Sequence, residues 1–89
     1  MNTTYSTYNN KIVKNKNFKI DVFNASLFYG INVFEVIYFK FDSKKNNFYA
    51  FRLKDHFERL LKSSKNLNIK HNLTYSKLTD NIKKLITKN

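Results

Sequence analysis

The sequence predicts an α+β fold, a small antiparallel sheet with two helices packed on one of its faces. Short β-branched and aromatic runs fill the first half, and the hydrophobic period changes from two to about 3.6 at Leu53. No proline and a single glycine, Gly30, interrupt this pattern, so strands come first and helices after.

The opening stretch "TTYSTYNNKIVKN" sets Asn9 and Asn10 between two segments containing Tyr5, Tyr8, Ile12 and Val13. Asparagine tolerates positive φ, so the pair suits a two-residue hairpin turn. "NVFEVIYFKFD", residues 32–42, reads as a strand apolar on both faces, with Phe34, Val36 and Tyr38 on one and Val33, Ile37, Phe39 and Phe41 on the other. Both faces are therefore expected to be covered. "SKKNN" is a polar turn, after which "FYAFRL" returns as an antiparallel partner. From Leu53, apolar residues recur at Phe57, Leu60, Leu61 and Leu67 with Ser64 on the same stripe, which predicts an amphipathic helix. A second helix is signalled by Thr74 as N-cap and by the stripe Leu78, Ile82, Leu85 and Ile86.

Eighty-nine residues allow at most one domain. A chain of this size buries only roughly 60–65% of the surface that its unfolded form exposes, so its core is expected to be marginal. There is no cysteine for a disulfide or a thiolate metal site, which fits a reducing compartment and makes the cytoplasm the expected location. No run of roughly 18 apolar residues exists to span a membrane. The first twenty residues lack an apolar leader core; their four lysines are the only hint of a transit role.

A formal charge of +11 raises nucleic-acid binding as a possibility. Against it, Lys, Asn, Ile, Tyr and Phe are all abundant while Gly, Pro, Ala and Arg are scarce, the bias of an AT-rich genome. The lysines are also spread along the whole chain, the densest cluster being "KSSKNLNIKH" with Lys62, Lys65 and Lys70. On this reading a nucleic-acid partner is not expected. A small basic RNA-binding module and an inert remnant stand as competing readings.

No Walker loop, dinucleotide fingerprint or paired-histidine metal motif occurs, and His56 and His71 are too far apart for a helical ligand pair. Ser26, Asp55 and His56 offer the residue types of a catalytic triad, but Asp55 and His56 are adjacent on one helix and diverge. The lysines fall in polar turns, at strand margins or on outward helix faces, apart from Lys40 on an otherwise apolar strand face, and none is expected to be buried enough for imine chemistry.

Three segments carry a resemblance: "KIDVFNASLFYGINVFEVIYF", "FYAFRLKDHFERLLKSSKNLNI" and "LTYSKLTDNIKKLITKN". With "YG" four residues before "FE", "FRL" closing a strand and "HFERL" opening a helix, the chain from about Tyr8 onward resembles the small N-terminal domain of class IV (fold type IV) pyridoxal-phosphate aminotransferases. That family includes branched-chain and D-amino acid aminotransferases and aminodeoxychorismate lyase. The resemblance implies that Arg59 holds the phosphate of pyridoxal 5'-phosphate, and that Tyr29, Gly30, Phe34 and Val36, with Tyr38 on the same strand face, line the substrate pocket. Only two of the 17 basic residues are arginines, Arg52 and Arg59, and a guanidinium grips phosphate in a way that an ammonium cannot.

The implied reaction moves an amino group between an amino acid and a 2-oxo acid, with branched-chain substrates favoured by "YG…VFE". Val36 and Tyr38 depart from the branched-chain pattern and leave the D-amino acid enzymes and the lyase as alternatives. The resemblance further places the catalytic lysine, the acid on the pyridine nitrogen and the other phosphate-binding loops in a large domain that these residues do not include. The chain alone is therefore expected to be inactive, whether as a fragment, one product of a split gene or a decayed remnant. Its expected partners are that large domain or a second polypeptide, and further copies of itself in the complete enzyme.

Overall fold

The computed structural model describes residues 4–89. In chain order it contains strands β1 (Tyr5–Tyr8) and β2 (Lys11–Lys14), a 3-10 turn (Asn15–Asn17), helix α1 (Ala25–Phe28), strands β3 (Phe39–Asp42) and β4 (Asn47–Ala50), and helices α2 (Leu53–Asn66) and α3 (Tyr75–Lys88). The α+β class holds. Two compact units form, one from the chain up to Lys19 together with Leu73–Asn89, the other from Ile20–Asn72.

In the first unit, β1 and β2 pair antiparallel with Tyr5 opposite Lys14 and Tyr8 opposite Lys11. Asn9 and Asn10 hold φ of 50° and 67°, the left-handed pair that a tight hairpin needs. Helix α3 packs on both strands. Thr74 caps it as expected, its hydroxyl oxygen accepting from the Lys77 amide at 3.2 Å. Leu78, Ile82, Leu85 and Ile86 form its half-buried stripe. The Asn89 side chain acts as a surrogate strand, accepting from the amides of Thr4 (3.0 Å) and Tyr5 (2.9 Å) and donating to the Tyr5 carbonyl (3.1 Å).

In the second unit, β3 and β4 pair antiparallel with Phe39 opposite Ala50 and Asp42 opposite Asn47. Asp42 Oδ1 accepts from the Lys44 amide at 3.0 Å and the Lys45 amide at 3.3 Å, and Asn46 takes φ 47°, which folds "SKKNN" into the connecting turn. Helix α2 leaves at a left-handed Asn68 (φ 55°), where the Ile69 amide reaches the Ser64 carbonyl and the Asn68 amide the Lys65 carbonyl. Leu53 and Phe57 are the buried hydrophobic residues of the described chain, and Ser64, buried two turns further along α2, satisfies its hydroxyl on the Leu60 carbonyl at 2.8 Å.

Two expectations are corrected. The strands make two separate two-stranded sheets and not one sheet carrying both helices, because among the described residues the strand-to-strand ladder of each hairpin stays within that hairpin. The strand expected over 32–42 pairs only from Phe39 to Asp42. After Ala50 the Phe51 amide reaches the Tyr38 carbonyl at 2.9 Å, and then Arg52, at φ 52°, turns the chain into α2. Residues 31–38 are thus left without a ladder partner among the described residues. They also lack the expected cover, since one of their two faces is exposed. Helix α1 has no counterpart in the sequence reading. It is a single turn, with Asn24 Oδ1 accepting from the Ser26 amide at 2.8 Å.

Candidate functional site

All the candidate residues lie in the second unit. They belong to the turn after α1, the unpaired segment 31–38, and α2. Tyr29 ends α1 and is 71% exposed, its ring edge-on to Phe28 at 5.0 Å. Gly30 follows with φ 69°, and a side chain built there would meet nothing within 4 Å. The glycine therefore serves the turn: left-handed backbone at this point lets the Ile31 amide return to the Ala25 carbonyl at 3.2 Å. No neighbouring atom of the chain demands its missing Cβ.

Beyond Gly30, exposure alternates with a period of two. Val33, Glu35 and Ile37 are half-buried, whereas Phe34, Val36 and Tyr38 are exposed at 81%, 77% and 79%. Alternation of this kind marks extended backbone with one face turned inward. Phe34, Val36 and Tyr38 therefore share a single outward apolar face.

Arg59 meets this segment from the other side. On α2, it forks onto Glu35, with Nε donating to Oε1 at 2.5 Å and Nη2 to Oε2 at 2.7 Å. The Glu35 side chain is only 11% exposed, and His56, one turn before Arg59, brings Nδ1 to 3.6 Å from Oε2. Hydrogen bonding from Arg59 holds the Glu35 carboxyl below its usual range, against the opposing cost of desolvation and with help from the Arg59 charge and from His56. The same bonds and charge from Glu35 push the Arg59 guanidinium up. Glu35 and His56 were missed as site residues. The available signal was Glu35 itself, the one charged residue within the apolar run 31–39, a position that demands a partner.

A triad is absent, since Asp55 is bound to Arg52 at 2.8 Å and His56 faces Glu35. Phe51, Arg52, Asp55, His56, Glu58 and Arg59 line a shallow hollow of about 440 Å³. Its cations are matched by carboxylates, so these residues do not build a complete phosphate cradle. They do fit one anchor of a shared cradle, because Nη1 of Arg59 has no partner among the described residues while Nε and Nη2 are fixed.

No protein-family model, curated protein or solved structure matches the chain.

Proposed function

We infer that the second unit is the cofactor-anchoring and substrate-shaping part of a class IV pyridoxal-phosphate aminotransferase, with branched-chain amino acids and their 2-oxo acids as the favoured substrates and the cytoplasm as its location. The observation that carries this reading is the Glu35–Arg59 fork. A guanidinium clamped by one edge and open at the other suits a phosphate that several elements hold jointly. Pyridoxal phosphate, when bound, supplies the electron sink for moving an amino group, and the lysine that carries it belongs to a large domain outside these residues.

The roles of this chain's own side chains follow from their positions. Arg59 offers Nη1 to a phosphate oxygen. Glu35 is a positioning residue, since it fixes the guanidinium plane and favours its charged form. Phe34, Val36 and Tyr38 provide an apolar wall that excludes water and accepts an aliphatic side chain, while Gly30 sets the turn that presents Tyr29 at its edge.

The test is purification of the chain from its source cells, with mass spectrometry of what accompanies it and visible absorbance for a lysine-bound cofactor. The expected result is a yellow complex containing a second, lysine-bearing polypeptide. In that complex Arg59→Lys should weaken pyridoxal phosphate by about tenfold, the loss of roughly one charge-assisted bond, and leave unphosphorylated pyridoxal unaffected. A lone colourless chain, or equal losses for both cofactor forms, overturns the reading.

A further inference from the structure

The first unit concentrates charge that the linear sequence disperses. The chain up to Lys19 and Leu73–Asn89 together carry eight lysines against one acid, Asp80, a formal +7 of the total +11. All eight lysines are exposed. No ion pair engages Lys11, Lys14, Lys16, Lys83, Lys84 or Lys88 among the described residues; the Arg52–Asp55 and Arg59–Glu35 pairs lie in the other unit.

On α3 these charges are ordered. Lys84 and Lys88 stand one turn apart, about 6 Å along the axis, with Lys83 beside them. They rim an open hollow of about 390 Å³ whose remaining lining is Ile12, Asp80 and Thr87. The Lys88 ammonium lies over the Tyr5 ring at 5.1 Å to the centroid, which holds it on the hairpin side. Lys14 stands opposite Tyr5 and so shares the hairpin face of Ile12, adding a further exposed cation on that side.

We propose that the lysine-rimmed face of α3 and its hairpin binds the phosphodiester backbone of a nucleic acid, independently of the aminotransferase reading. Ammonium groups that no carboxylate engages, spaced along one helix, track successive phosphates and release their counterions. An anionic membrane fits less well. Surface helices bind lipid by sinking an apolar face, and the apolar stripe of α3 is engaged by packing on β1 and β2.

The experiment titrates the intact chain with a labelled oligouridylate across a range of salt. Binding is expected to weaken with salt at a slope of about −0.7 per phosphate contacted, so Lys83→Gln, Lys84→Gln and Lys88→Gln together should flatten the slope by about 2. Lys44→Gln, Lys45→Gln and Lys54→Gln together remove the same charge from the other unit and should leave the slope nearly unchanged. Acetylation footprinting of the wild-type chain, which needs no variant to fold, should show Lys83, Lys84 and Lys88 protected by RNA and Lys44, Lys45 and Lys54 not. Equal slope changes in both triple variants, uniform protection, salt-independent binding, or binding to anionic vesicles but not to RNA each overturns the proposal.

Discussion

Asn9, Asn10, Asn46 and Asn68 occupy left-handed backbone that many chains assign to glycine, and Arg52 shares that conformation at the entrance to α2. Asparagine pays less than other side chains there, because its short amide bonds locally. At Gly30 the space around a Cβ is open, so substitution meets the backbone term alone. Gly30→Ala should therefore cost about 1–2 kcal/mol, and Gly30→Asn clearly less, as read from urea midpoints. Equal losses for both would mean that bulk, not conformation, is what the site refuses. Glu35 supports a different prediction. Its carboxyl is held below the usual range when folded, so its contribution is complete above the unfolded value of about 4.3 and disappears as pH falls through the lower folded value. Urea midpoints should decline on acidification below about pH 4.5, and more steeply than in Glu35→Gln, whose midpoint should be lower but flatter over that window. Identical pH profiles would show that the fork seen with Arg59 contributes nothing in solution.

At the level of elements, α2 depends on very little buried surface. Leu53 and Phe57 are its buried apolar residues, at 7% and 8% exposure, so there is little neighbouring core to compensate for a cavity. Phe57→Ala should cost about 3–5 kcal/mol, comparable with the whole stability of a domain this small, and abolish the cooperative thermal transition by circular dichroism. A retained transition would show that the helix is held by something other than this contact. Thr74→Ala removes one cap and should cost about 1 kcal/mol, seen as a modest fall in the melting temperature. The elements governed by local chemistry were legible in the sequence: the Asn9–Asn10 turn, the "SKKNN" turn, both long helices and the Thr74 cap. What was not legible depends on where the chain goes next. A run such as 32–42 has the composition of a strand throughout, but β pairing needs a neighbour, and Arg52 turns the neighbour away after Phe51. Leu67, read as part of the helical stripe, lies just past α2 and is 49% exposed for the same reason, the exit turn at Asn68. The site was half legible. Arg59 stood out by its rarity, whereas its partner Glu35 was passed over as part of an apolar motif.

For the whole molecule, two surfaces of opposite character should respond to salt in opposite directions. Spacing along the sequence made the positive charge look diffuse; bringing the two ends of the chain into one unit concentrates it there. The face of Phe34, Val36 and Tyr38 belongs to the other unit and leaves three neighbouring apolar side chains each more than three-quarters exposed, on backbone that has no ladder partner among the described residues. That combination favours self-association of the chain on its own, while a net charge of +11 opposes it. Added salt screens the repulsion without weakening apolar contact, so sedimentation should show association increasing with salt. Nucleic-acid binding by the lysine face should weaken over the same range. Phe34→Ser with Val36→Thr should suppress association and leave RNA binding intact; neutralising Lys83, Lys84 and Lys88 should weaken RNA binding and, by lowering repulsion, promote association. If the Phe34→Ser, Val36→Thr variant lost RNA binding along with association, the two surfaces would not be independent, and a single assembly process would have to explain both.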